Sequence, residues 1–185
     1  MPYPSQINTE RVIETARALL EELGIEQLSL HRLAEALGVK APSLYRYFAG
    51  KTELLRAINA VTGREMLTAM QQAADAETDP QVKLIAMLRA YRRFALAHPL
   101  AYDLLYSNAL PDSRLDPADA EQMALPLQAR MAESVGAEQS LEALRGAWAL
   151  VHGFVMLELA GQFQRGGNVN VAFEAAVQAY LAGWR

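Results

Sequence analysis

Cysteine is absent from the 185 residues, which excludes disulfides, thiolate metal sites and cysteine nucleophiles together. Histidine is scarce, with only His31, His98 and His152. There is no HExxH and no glycine-rich phosphate loop, so neither a zinc hydrolase nor a nucleotide site is signalled, and no metal or other cofactor is expected. No run of about 18 apolar residues is available to span a membrane. The N-terminal MPYPSQINTER lacks the basic-then-apolar pattern of a signal peptide, so the expectation is a soluble, cytoplasmic protein with no membrane partner. Apolar and polar residues nowhere alternate with period two, so no sheet is assigned.

What is present is helical punctuation around apolar stripes. Hydrophobic residues make up 52% and charged residues 21%, the balance of a globular chain long enough for one substantial core or two small ones. The stretch Ser29 to Phe48, SLHRLAEALGVKAPSLYRYF, is the most informative. Leu30, Leu33, Ala34 and Leu37 fall on one helical face, and Ser29 is placed to cap it. Leu28 and Leu33 occupy the positions of a hydrophobic staple. Gly38 sits where a left-handed residue ends the helix, and Pro42 is pre-set for the first turn of the next. Leu44 and Phe48 are spaced to plug the gap between the two. This is a helix-turn-helix.

Charge supports the same stretch. The chain carries a net charge of -4. From Ser29 to Arg56, however, Arg32, Lys40, Arg46, Lys51 and Arg56 stand against Glu35 and Glu53, a net +3. From Arg64 onward 10 basic residues face 14 acidic ones. One basic island on an acidic body is the footprint of a protein that meets phosphate at a single place.

A first helix ahead of the motif, Val12 to Leu23, is stopped by Gly24, after a short arm over Met1 to Asn8. A fourth helix starts at Lys51-Thr52-Glu53 and continues towards Asp75, belonging to both halves of the chain. Asp79-Pro80 and Asp116-Pro117 each read as a cap followed by a first-turn proline. His98-Pro99 starts a short piece through Tyr106, and Ser107 to Arg114 reads as a loop. The helix after Asp116 must bend or restart at Pro126. Glu138 to Gln164 reads as one long helix stopped by Gly166-Gly167, and Val171 to Trp184 as the last. The fold class is therefore all-α, with about nine helices.

The segment GIEQLSLHRLAEALGVKAPSLYRYFAGKTELL resembles the N-terminal DNA-binding region of the TetR/AcrR family of bacterial transcriptional regulators. The resemblance is carried by the Leu-Ala-x-x-Leu-Gly-Val run at Leu33 to Val39, by Ser43-Leu44-Tyr45 with Tyr47-Phe48, and by Lys51 followed by Glu53-Leu54. Trp148, His152 and Gly153, with Leu157-Glu158 beyond, are similar to the C-terminal domain of one subgroup. The resemblance implies a homodimer with a helix-turn-helix DNA-binding domain over residues 1–50 and a helical effector-binding and dimerisation domain over 51–185.

The stripe of Leu44 and Phe48 turns Pro42, Ser43 and Arg46 outward, with Tyr45 and Tyr47 on the flanks. Arg46 is the long cation able to reach a phosphate or a guanine edge. The resemblance adds Lys40, Ala41, Ser43, Tyr45 and Tyr47 as contacts of the recognition helix, Ser29 and His31 on the preceding helix, and Lys51 at the next N-terminus. On that reading Ser29, Tyr45, Tyr47 and Lys51 position the backbone of a double-stranded operator, and Lys40, Ala41, Ser43 and Arg46 lie nearer the bases. His31 occupies a position where some relatives carry a base-reading side chain.

In the C-terminal part Tyr91, Phe94, Tyr102, Tyr106, Trp148, His152, Met156 and Phe163 are the large or polar-tipped side chains suited to a small lipophilic effector, or to a core. Small faces on the long helix, including Gly146, Ala149, Gly153 and Ala160, together with the last helix, suit either a four-helix dimer interface or packing within the chain. The leading function is a repressor released from a palindromic operator by a small molecule. An adaptor acting through a protein partner is the alternative, and a small helical enzyme a further one that no motif supports. Salt dependence separates DNA reading from protein docking, because phosphate contacts release counterions.

Overall fold

The computed structural model describes residues 8–107 and 110–184. The arm expected over Met1 to Asn8 falls outside them except for Asn8, as do residues 108 and 109 of the expected loop. The elements in order are α1 (Thr9–Leu23), α2 (Leu30–Leu37), α3 (Ala41–Leu44), α4 (Lys51–Asp75), α5 (Pro80–Ala97), α6 (Pro99–Tyr106), a 3-10 turn (Pro111–Ser113), α7 (Pro117–Val135), α8 (Ser140–Leu159) and α9 (Val169–Ala182). Among the described residues there is no strand, so the all-α expectation holds. Two compact units form, one from the chain up to Gly63 with His98–Leu115, the other from Arg64–Ala97 with the chain from Asp116 onward. Helix α4 contributes its first half to one and its second half to the other.

The first unit is built on caps that the residues announce. Asn8 Oδ1 accepts from Arg11 N at 2.8 Å at the start of α1, and Ser29 Oγ accepts from Arg32 N at 3.2 Å at the start of α2. Gly24 and Gly38 close those helices with φ of 78° and 68°. Val12, Ala16 and Leu20 of α1, Leu33 of α2, Leu44 of α3 and Leu54 of α4 share one buried core. Each buried leucine contributes about 1.5 to 3 kcal/mol. The residue pattern did not reveal that α6 is a further wall of this core, placing Ala101 and Leu104 in it.

The second unit is organised around α5. Asp79 Oδ1 caps it by accepting from Gln81 N at 2.9 Å and Val82 N at 3.0 Å. Its Leu84, Met87, Leu88 and Tyr91 are buried. Arg92 is half-buried on the same helix, as a paired ion. It donates to both oxygens of Glu158 at 2.7 and 2.6 Å and to Asn170 Oδ1 at 2.8 Å, with its guanidinium 4.9 Å from the Phe173 ring centre. One turn earlier Arg89 makes a bidentate pair with Glu174.

Helix α7 runs through Pro126 without restarting; the carbonyl left without a donor belongs to Gln122, which is exposed, so water can take it up. One boundary differs from expectation. Helix α8 ends at Leu159, not at Gln164. Gly161, with φ of 65°, closes it in a Schellman arrangement, donating to Glu158 O at 2.9 Å while Gln162 N donates to Leu157 O at 2.9 Å.

The two glycines of α8 have opposite surroundings. A Cβ on Gly146 would lie 2.2 Å from Tyr180 Oη, whereas one on Gly153 would meet nothing within 4 Å. Gly146 therefore serves packing within the chain, letting the Tyr180 hydroxyl reach Ala143 O at 2.8 Å. Burial pushes the Tyr180 phenol above its usual pKa. Gly146→Ala should destabilise the protein by about 1 to 2 kcal/mol, the overpacking loss outweighing the gain in helix propensity. Urea denaturation at matched protein concentration checks this, and unchanged or raised stability would contradict the tight contact.

Candidate nucleic-acid interface

Helix α2 ends at Gly38, whose N–H points back to Glu35 O at 3.1 Å while Val39 N reaches Ala34 O at 2.9 Å. The reversal delivers Lys40 to the N-cap position of α3. Helix α3 itself is only four residues long, shorter than the expected run to Phe48, and Tyr47 N and Phe48 N both bond back to Leu44 O. So short a helix has little stability of its own. Its orientation comes from Leu44 and Phe48, which are 1% and 4% exposed.

With those two side chains sealed inside, the opposite face is fixed. Lys40, Pro42, Tyr45 and Arg46 are exposed, as are His31 and Arg32 on α2, while Ser29, Ala41, Ser43, Tyr47 and Lys51 are half-buried. Tyr45 is 59% exposed, a large aromatic ring left in water. Among the described residues no carboxylate pairs with Lys40 or Arg46, whereas His31 Nε2 lies 3.4 Å from Glu35 Oε1. The Lys51 ammonium donates to Ile25 O at 2.5 Å, which ties α4 to the loop before α2 and leaves two of its three protons for another acceptor. Glu53 Oε2 accepts from Ala49 N at 2.5 Å, holding the turn that follows α3. Arg32 was counted in the basic island but not among the site residues; its exposure one residue after His31 places it on the same surface, and its charge was the signal.

The effector-side residues are divided between the units. Tyr102 and Tyr106 belong to the first, with ring centres 4.9 Å apart. Tyr91, Phe94, Trp148, His152, Met156 and Phe163 belong to the second. Tyr91 is fully buried and packs on Trp148 at 4.7 Å, and Phe94 is buried as well. His152 is half-buried, and burial lowers its pKa below the ordinary value, favouring the neutral imidazole. Met156 and Phe163 are exposed. Phe163 follows the end of α8 and so does not share that helix with Trp148, His152 and Met156; its ring lies 4.7 Å from Phe154. Glu158 is engaged by Arg92. Among the described residues no cluster of three His, Asp or Glu side chains could hold a metal, and no helix is long and apolar enough to cross a membrane.

A left-handed glycine turn between two helices, an apolar plug beneath the second and cations above it with no carboxylate partner among the described residues define a DNA-binding type of helix-turn-helix. Residues 12–58 match the model for bacterial regulatory proteins of the tetR family, and residues 84–180 match the tetracyclin repressor-like C-terminal domain. The chain belongs to the TetR family and is a DNA-binding transcriptional regulator, not an enzyme. An HTH-type transcriptional regulator of Mycobacterium tuberculosis is 29% identical over 85% of this chain and 73% of its own. The class A tetracycline repressor protein from transposon 1721 of Escherichia coli is 29% identical over 95% of this chain and 82% of its own. Among solved structures, the regulatory protein SCO4313 superposes with a TM-score of 0.76 at 26% identity, covering 94% of each chain. A TetR variant of Acinetobacter baumannii AYE, crystallised with minocycline, shares the fold with a TM-score of 0.69 at 24% identity over 97% of each chain. Proteins of this family bind operator DNA, form dimers and bind small-molecule effectors.

Proposed function

We propose that this chain is a repressor that leaves a near-palindromic operator when a small lipophilic molecule binds its C-terminal part. The observation that carries the DNA-reading half is the pairing of sealed and open faces on α3. Leu44 and Phe48 are buried, so Lys40 and Arg46 are held in solvent without a carboxylate partner, on a protein whose net charge is -4. Lys40, Ala41, Ser43 and Arg46 lie towards the bases, Ser29, Tyr45, Tyr47 and Lys51 hold the phosphate backbone, and His31 stands at the edge of the same surface. Two such heads on one dimer would read successive major grooves about 34 Å apart.

The dimer forms through α8 and α9. Leu157 of α8 is 47% and Val171 of α9 63% exposed, and Ala149, Gly153 and Met156 of α8, with Ala160 just after it, are exposed too. Apolar side chains and small residues left in water on neighbouring helices suit a close helix-to-helix contact with a second copy. The effector reading draws on the buried Tyr91 ring against Trp148 and on His152 nearby in sequence, whose pKa burial lowers, an apolar lining with a polar tip. Helix α4 carries residues of both units and is the element through which effector and operator would oppose one another. Coupling between such sites is typically about 1 to 3 kcal/mol and acts equally in both directions.

Two measurements test this reading. In a salt titration of DNA affinity by fluorescence anisotropy, the slope of log K against log salt should be steep, and Arg46→Ala should either lower it by about one unit, if Arg46 holds a phosphate, or relax sequence preference at one position, if it reads a guanine. Binding indifferent to salt would favour a protein partner instead. Gly153→Arg should turn the dimer into a monomer in analytical ultracentrifugation while leaving the helical circular dichroism intact, since among the described residues nothing would lie within 4 Å of a Cβ there; a dimer that survives this change would place the interface elsewhere.

A further inference from the structure

The segment His98–Leu115 is bordered on both sides by chain of the second unit yet packs within the first. Its helix α6 lacks a cap of its own. His98, at the N-cap position, makes no side-chain capping bond, and Pro99 has no N–H to offer. Glu21 of α1 supplies what is missing: its carboxylate accepts from Leu100 N at 3.1 Å and from Ala101 N at 2.8 Å, a negative charge set at the positive end of the helix. At the far end of the segment, Arg56 Nη2 donates to Asp112 O at 2.6 Å and Asn59 Nδ2 to Ser113 O at 2.8 Å. Between these two fastenings Ala101 and Leu104 enter the core that also holds Leu33 and Leu44, the residues that orient the DNA-facing side of α2 and α3.

We propose that Glu21 is a positioning residue for DNA reading: by holding α6 against α1 it keeps the head in the arrangement that presents Lys40 and Arg46, so DNA binding and the docking of α6 stabilise each other. This rests on the DNA-reading function proposed above. Both fastenings are charge-assisted, Glu21 accepting from two amides and Arg56 donating to Asp112 O. They differ in that Asn59, which bonds Ser113 O, keeps a buried Oδ1 that no group among the described residues meets. An unmet buried acceptor weakens the preference for the docked arrangement at that end, so the Glu21 bonds carry more of it. Whatever draws His98–Leu115 away from the head must break the Glu21 bonds, and DNA, by the same linkage, must strengthen them.

The test is amide hydrogen exchange on the intact protein, with and without a duplex enriched for binding from a random-sequence pool, combined with the affinities of Glu21→Ala and Glu21→Gln for that duplex. In the unaltered protein, DNA should slow exchange at Leu100 and Ala101. In Glu21→Ala that slowing should vanish and affinity should fall at least about fivefold with the salt slope unchanged, because no phosphate contact has been removed. Glu21→Gln, which keeps one acceptor oxygen, should fall between. A purely structural role would lower the melting temperature and leave the DNA-dependent exchange in place. If DNA slows exchange in α2 and α3 of the unaltered protein but leaves Leu100 and Ala101 unmoved, the proposal is overturned and the DNA-reading function stands. If no duplex binds at all, both fall. Should Glu21→Ala fail to fold, the exchange of the unaltered protein and the Glu21→Gln affinity decide.

Discussion

The burial of Leu44 and Phe48 beneath a four-residue helix is the constraint on which the DNA-reading head depends. A helix of that length cannot hold itself together or choose an orientation. The apolar contact with α2 and α4 does both, and the left-handed Gly38 makes the approach possible. Folding the head and displaying its cations are therefore one event, because Arg46 and Lys40 point outward only while Leu44 and Phe48 are inside. Lys51 and Glu53 reinforce this from the next helix, by bonding to Ile25 O and Ala49 N.

In the second unit a comparable role falls to Arg92. With its side chain 12% exposed and that of Glu158 21% exposed, the pair is shielded enough that removing one partner would leave a poorly solvated charge. Its bonds to Glu158 near the end of α8 and to Asn170 at the start of α9 tie both helix ends to α5. The exposed faces of those helices follow from that geometry. Tyr180, accommodated by Gly146, closes the same pair of helices further along. The small residues of α8 thus divide by role, Gly146 for the fold of one chain and Gly153 for the surface left over.

Local chemistry was legible in the residues and distant chemistry was not. Ser29, Gly24, Gly38, Asp79-Pro80 and Asp116-Pro117 each act within a few residues of themselves, and each cap or stop stands where the sequence put it. The outward face of α3 was also legible, since helical spacing alone separates Leu44 and Phe48 from Arg46. The end of α8 was missed because apolar spacing continues past the left-handed Gly161, beyond which the chain leaves the helix and Phe163 rests on Phe154. The place of α6 in the head, and with it the part played by Glu21, was invisible because the bonded residues are 79 and 80 positions apart. Gly146 and Gly153 are the same letter on the same helix, and only the position of Tyr180 tells them apart.

The central claim is that the basic face of α2 and α3 reads DNA as a symmetric pair, and selection of bound duplexes from a random-sequence pool tests it most directly. The account predicts enrichment of a near-palindrome whose half-sites lie about one helical turn, or a whole multiple of it, apart, with the enrichment lost on Lys40→Ala and Arg46→Ala together. Recovery of no preferred sequence, or of an asymmetric one that still binds the doubly substituted protein, would contradict it.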